Sequence, residues 1–157
     1  MNNKKEQLLQ NTCKLLKSQY FGVLATQGEI YPHTSLVAFC VSPDFSGINF
    51  CTARSTRKFA NLSAHPMVSL LIDNRSNKTT DLNLAASLSA TGQARELIDA
   101  ARRKAQAGFL SRHPDLQNFC NLPDTAICTI EIKAFQLVYN FQETVSCLPA
   151  ELTEIII

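Results

Sequence analysis

The sequence predicts a mainly β fold with flanking helices, an antiparallel barrel of six to seven strands. Three observations carry that expectation. Short, apolar, β-prone runs recur between turn signals along most of the chain. Between Ala126 and Lys133, Cys128, Ile130 and Ile132 alternate with Thr129, Glu131 and Lys133, the period of a half-buried strand. Helical patterns are few and the connections are mostly short, so the strands most economically hide their edges by closing on one another.

The elements follow in order. Residues 4 to 18 carry Leu8, Leu9, Leu15 and Leu16 in a polar setting, which predicts an amphipathic helix with one apolar stripe. Phe21 to Thr26 is a first strand, broken by Gln27-Gly28, and Ile30 to Val41 a second, ended by Ser42-Pro43-Asp44. Gly47 to Thr52 and Val68 to Ile72 are the third and fourth. After a polar loop (Asp73 to Asp81), residues 84 to 98 read as a long strand with a bend near Gly92. Leu97 to Leu110 is helical, Pro114 opens a short turn or helix through Phe119, and Ala126 to Lys133 and Phe135 to Phe141 are the last two strands. No repeat or linker divides the chain. We expect one domain over 1–157, with a core of about 5–142 and a tail of 143–157 in which the three terminal isoleucines suggest an edge strand or a partner-binding end.

Composition narrows the function classes. A hydrophobic fraction of 45% with 18% charged residues is that of a folded globular chain. A formal charge of +2 gives no field for polyanions, and the basic residues have no aromatic series beside them, so nucleic acid is not an expected partner. No run reaches the roughly 18 apolar residues of a membrane span. The basic start at Met1 to Glu6 is interrupted at Gln7 to Gln10, so no signal peptide is expected and a cytoplasmic location is. The six cysteines (Cys13, Cys40, Cys51, Cys120, Cys128 and Cys147) contain no Cys-x-x-Cys pair, and His33, His65 and His113 are scattered. Reduced thiols and no metal site are therefore expected.

The chemistry concentrates in Asn49-Phe50-Cys51-Thr52-Ala53-Arg54-Ser55-Thr56-Arg57-Lys58-Phe59-Ala60-Asn61-Leu62. An apolar strand runs through a hydroxyl-rich turn into a helix capped by Ser55 or Thr56. Arg57 and Lys58 then fall in the first helical turn, where cations oppose the macrodipole by typically about 0.3–1 kcal/mol each. From Phe45 through Ile72 there is no Asp or Glu to compensate them. A bound anion reverses that penalty, because free N–H groups, hydroxyls and cations converge on it. A solvated basic turn is the plainer alternative. The segment lacks the glycines of a P-loop or a dinucleotide fingerprint.

Taken with its flanks, this segment resembles the pyridoxamine 5'-phosphate oxidase-like, FMN-binding split-barrel superfamily. The resemblance rests on Thr52, Thr56-Arg57-Lys58, Asn61-Leu62 and His65-Pro66-Met67-Val68-Ser69-Leu70-Leu71. It extends to Tyr31-Pro32-His33-Thr34-Ser35-Leu36-Val37-Ala38-Phe39, to Ala90-Thr91-Gly92-Gln93-Ala94-Arg95-Glu96-Leu97 and to Pro123-Asp124-Thr125-Ala126, covering about residues 5 to 142. It implies a split β-barrel that acts as a homodimer with FMN at the subunit interface. Arg57 and Lys58, with the hydroxyls of Thr52 and Thr56, would hold the FMN phosphate. Arg54 would either add charge or point away. The backbone of Ser35, Leu36 and Val37 would meet the polar edge of the flavin ring. Asn74, Arg75 and Ser87 are secondary candidates for the half of the site that the other subunit supplies, their alternative reading being ordinary loop and surface polarity. Tyr31 and His33 would lie near the ring, with a structural role as the favoured reading.

The departures from the pattern also carry expectations. The family's oxidases have Arg and Lys in the strand aligned with Ser35 to Cys40, and a Trp and an Arg near the end; here those basic side chains are missing and the chain has no Trp. Pyridoxamine phosphate is therefore not the expected substrate. The expectation is an FMN-dependent oxidoreductase, or a flavin-reductase-like protein, whose small-molecule substrate and electron donor are open. Two other classes stand beside it: a haem-binding or haem-utilisation protein of similar fold, which would have only Cys147 as a late soft ligand, and a non-catalytic flavin module. The deazaflavin F420 carries the same ribityl phosphate, so Arg57 and Lys58 do not discriminate it from FMN.

Overall fold

The computed structural model describes residues 3–155; Met1, Asn2, Ile156 and Ile157, and so part of the basic start and two of the three terminal isoleucines, lie outside the described residues. In chain order the elements are α1 (Asn3–Ser18), β1 (Phe21–Gln27), β2 (Pro32–Ala38), β3 (Cys40–Val41), β4 (Gly47–Ala53), α2 (Arg57–Ala64), β5 (Met67–Asp73), α3 (Asp81–Leu84), β6 (Ser87–Glu96), α4 (Asp99–Arg112), a 3-10 turn (Pro114–Leu116), α5 (Gln117–Cys120), β7 (Thr125–Tyr139), β8 (Glu143–Cys147) and α6 (Pro149–Thr153).

Every strand pairing is antiparallel, in the order β2-β1-β5-β6-β7-β4-β3, with β8 added to β7. The two ends of that order, β2 and β3, are neighbours in the chain. Only Phe39 separates them, fully buried, with its N–H donating to the Tyr20 carbonyl at 3.1 Å. The run expected as one strand, Ile30 to Val41, is therefore broken at Phe39, and its two halves serve opposite edges of the same sheet. This folds the sheet round on itself. β2 comes alongside β4 without pairing to it, which leaves an open seam: the fold is a split barrel, mainly β, with helices on its outside.

The last two expected strands are one. β7 runs fifteen residues and changes partner on one side, from β4 at its start to β8 at its end. The sequence pattern looked interrupted because Lys133 is a bulge: Gly92 pairs with Ile132 and Thr91 with Ala134, so the inward parity shifts from Ile132 to Phe135. Gly92 is required opposite it, since a Cβ there would lie 2.1 Å from the Glu131 carbonyl oxygen. The strand expected over 84–98 begins only at Ser87; the preceding residues form α3, whose Asp81 carboxylate accepts from the backbone N–H groups of Ser76, Asn77 and Lys78.

The tail belongs to the body of the molecule. β8 extends the sheet and α6 buries Leu152 completely, so residues 149–153 are helical where an edge strand was an alternative. The core has two parts. Leu24, Ile48, Phe50, Leu70, Ile72, Leu88, Ala90, Ile130 and Phe135 fill the barrel, with Leu8, Leu9, Leu15 and Leu16 of α1 packed against them. Outside the wall, Leu97, Ala105, Phe109 and Cys120 cover Ile127 and the outer side of Cys51. Among the described residues no helix is long and apolar enough to cross a membrane.

Candidate functional site

The hydroxyl-rich turn is built as a helix start. β4 ends at Ala53 and α2 begins at Arg57, with Thr56 as N-cap: its Oγ1 accepts from the Phe59 N–H at 3.4 Å and donates to the Ala53 carbonyl at 2.9 Å. Thr52 is buried, and its Oγ1 lies 2.9 Å from that of Thr56. Both hydroxyls also face the Ala53 carbonyl, Thr56 at 2.9 Å and Thr52 at 3.4 Å. The Thr52 hydroxyl thus buttresses the cap from inside.

Arg57 and Lys58 follow, exposed and half-buried respectively. Among the described residues neither has a carboxylate within 4.0 Å or a hydrogen-bond partner for its side chain. α2 has no acidic residue in its first turn. The two charges expected to seek an anion are therefore uncompensated at the helix start. Arg54 is placed elsewhere. Its guanidinium makes an ion pair with Glu96 through Nε and Nη2 and donates from Nη1 to the Pro123 carbonyl at 2.9 Å. Its donors are thus engaged with the β6 end and the 119–125 segment.

Ser35, Leu36 and Val37 lie on β2, which pairs with β1 alone and forms one edge of the sheet order. On its far edge, alternate N–H and C=O groups have no sheet partner, and that edge is the seam beside β4. Val37 points inward, buried, and Ser35 is half-buried with its hydroxyl 3.4 Å from His33 Nδ1. Leu36 points outward with 71% exposure. A cavity of about 440 Å³ lies between the β1–β2 hairpin and α2, lined by Tyr31, His33, Arg57 and Asn61. The start of β2, at His33, and the cationic helix start thus share one hollow, as the resemblance implied by assigning the strand and Arg57 to one ligand.

Asn74, Arg75 and Ser87 are not brought there. Thr52 pairs with Ala126 next to the Cys128–Glu96 pair, whereas Ser87 opens β6 at its other end. The ten residues from Ser87 to Glu96 span about 30 Å of strand. Asn74 accepts from the Ala86 N–H at 2.8 Å and closes the β5–β6 connection, and Arg75 pairs with Asp73 at 3.2 Å. Together with Ser87, Arg75 lines a separate cavity of about 650 Å³. Within one protomer, the two groups of candidate residues stand at opposite ends of the barrel.

The outer face of the sheet carries a third feature. Leu36, Val23, Leu71 and Ser89 pair directly across successive strands and form one row, with Thr34, Ala25, Ser69 and Thr91 in the next. Leu36 and Met67, the first residue of β5, are more than half exposed. Apolar and hydroxyl side chains thus stand in register on the outer side of these strands.

The family model described as pyridoxamine 5'-phosphate oxidase matches residues 8–139. No curated protein matches the chain. Among solved structures, a heme binding protein from Mycobacterium smegmatis superposes with a TM-score of 0.80 at 18% identity, covering 92% of this chain and 59% of its own. A protein related to general stress protein 26 from Clostridium acetobutylicum gives 0.71 at 18% identity, covering 94% and 98%. A FAD-binding protein from Mesorhizobium loti gives 0.62 at 19% identity, covering 82% and 91%. At these identities the shared property is the fold. The chain spans about three fifths of the length of the first of these structures.

Proposed function

The chain belongs to the pyridoxamine 5'-phosphate oxidase family, and from that premise we propose that it is an FMN-binding, homodimeric oxidoreductase acting on a small molecule. The observation that carries this reading is the pair of uncompensated cations, Arg57 and Lys58, at a capped helix start beside the unpaired edge of β2. A dianionic phosphate at that point gains the two side-chain charges and the free N–H groups of the first helical turn. The exposed strand edge at Ser35 to Val37 offers alternating donors and acceptors to the heteroatom edge of a flavin ring. Bound FMN supplies the redox chemistry, and the protein supplies position and charge.

The separation of the candidate residues supports a dimer. Ser87 and Arg75 reach a flavin held at Arg57 only if they come from a second copy, and the apolar row of Leu36, Val23 and Leu71 gives that copy a face to pack on. The run from Ser35 to Cys40, the end of β2 and the corner after it, is uncharged, so it offers no grip for a second phosphate; a substrate without phosphate fits better than pyridoxamine phosphate. The phosphate grip serves FMN and F420 alike. Haem is less well served: Cys147 is buried, with its thiol pushed up to about 11 by burial, and His113 is buried with Nε2 2.8 Å from the Phe39 carbonyl.

The test is the visible spectrum of the protein as isolated, followed by mass analysis of whatever acid releases. A flavin spectrum with FMN released supports the reading; F420 in its place redefines the cofactor. A colourless protein that takes up no added FMN contradicts it.

A further inference from the structure

Cys51 and Cys120 are separated by sixty-nine residues in the chain, yet their Sγ atoms lie 2.9 Å apart. Cys51 is on the outer side of β4, one residue before Thr52, and Cys120 ends α5. Cys120 is completely buried and Cys51 half-buried, so Cys51 is the member of the pair nearer solvent. Forming a disulfide from this position shortens the contact from 2.9 Å to about 2.05 Å.

The pair is not a metal site, because among the described residues no third His, Cys, Asp or Glu joins it. Nor is Cys128 a rival partner: it faces the barrel interior, on the opposite side of β7 from Ile127, and its thiol is pushed up to about 12 by burial. The segment that follows Cys120 grips the turn that follows Cys51. The Asp124 carbonyl accepts from the Arg54 N–H at 2.9 Å, the Pro123 carbonyl accepts from Arg54 Nη1, and the Asp124 carboxylate accepts from the Ser55 hydroxyl at 3.2 Å. A bond between residues 51 and 120 would therefore tie down both arms of this contact at their roots.

We propose that Cys51 and Cys120 are a modification site, a reversible disulfide that fastens the 119–125 segment to the strand leading into the cation-bearing turn. The oxidant is a peroxide. In the first step the Cys51 sulfur attacks one peroxide oxygen, giving a sulfenic acid and one water. In the second the Cys120 sulfur displaces that oxygen as a second water, and the S–S bond forms. Two thiol protons and two electrons leave the protein, and one hydrogen peroxide is reduced to two waters. A dithiol reverses the bond by exchange. Burial and the neighbouring thiol raise the Cys51 thiol above its ordinary range, so the thiolate is scarce and formation is slow. The site responds to sustained oxidation, and this property is independent of which cofactor the barrel binds.

The experiment treats the purified full chain with hydrogen peroxide, alkylates remaining thiols, and maps peptides with and without dithiothreitol. The expected result is a loss of two hydrogens in the intact mass and one linked peptide joining residues 51 and 120. The thermal midpoint should rise by roughly 5 °C or more, since closing so long a loop restricts the unfolded chain, and dithiothreitol should return it. Cys51→Ser, a change at a partly accessible position, and Cys120→Ala should each abolish the linked peptide and the rise, with the far-ultraviolet spectrum of C51S unchanged. Linkage of another pair such as Cys13 and Cys147, or no linkage while the thiols over-oxidise, overturns the proposal.

Discussion

The Thr52 hydroxyl, buried in the barrel wall, is hydrogen-bonded to the Thr56 hydroxyl at 2.9 Å, and Thr56 in turn caps α2. A side chain of β4 thereby fixes the rotamer of the residue that starts the helix, and the helix start fixes Arg57 and Lys58. The cations are held in place by hydroxyls that they do not touch.

That chain of contacts predicts graded losses. Thr56→Ala removes the cap and should cost about 1 kcal/mol of stability. Thr52→Val keeps the shape and removes the buttress, for a similar cost of about 1 kcal/mol. Urea denaturation at fixed pH measures both, and the loosened helix start should also weaken FMN binding in each variant.

Arg54 should behave unlike its neighbours. Its guanidinium is engaged by Glu96 and Pro123. Because that side chain is about a third exposed, its ion pair is discounted for solvent screening, and Arg54→Ala should lower stability by about 1 kcal/mol. FMN affinity should change little. A loss of affinity as large as that of an Arg57 or Lys58 variant would return Arg54 to the phosphate.

Gly92→Ala tests the bulge. Its Cβ would meet the Glu131 carbonyl at 2.1 Å, a backbone atom that cannot move aside alone. A destabilisation of about 3 kcal/mol is expected, the upper part of the range for overpacking, read from thermal or urea unfolding.

The acid side of the stability profile has a local prediction. Glu143 is held down at about 2 by the Lys4 ammonium, 2.8 Å away, and by the Tyr139 hydroxyl. Its folded value lies below the ordinary 4.5, so the contact contributes fully above pH 4.5 and is lost as pH falls toward 2. Raising the pH through neutrality should leave it intact. Carboxyl titration by NMR gives the value directly, and Glu143→Gln should remove this step from the acid unfolding curve.

Most strands were legible in the sequence because their apolar runs and turn signals are local. The run Ile30 to Val41 was misread as continuous because a barrel corner at Phe39 leaves no mark in composition: a buried aromatic suits a corner as well as a strand. β7 was misread as two strands because the bulge at Lys133 shifts the alternation by one. β8 and α6 were missed because Glu143 to Thr153 has little periodicity, and Leu152 and Cys147 find their burial only in tertiary contact. At the site, Arg57 and Lys58 stood out because two cations at a helix start lack any local compensation. The opposite fate of Arg54 was invisible, since Glu96 lies forty-two residues away and Pro123 sixty-nine.

The central claim is that Arg57 and Lys58 hold a flavin phosphate, and the most direct measurement is a paired titration of the protein with FMN and with riboflavin, which lacks the phosphate. The wild-type chain should bind FMN at least about a hundredfold more tightly, the scale of two charge-assisted contacts. In the Arg57→Ala, Lys58→Ala double variant that preference should collapse, with the fold retained by circular dichroism. Equal affinity for the two ligands in the wild type, or an undiminished preference in the double variant, would contradict the assignment of the phosphate to this helix start.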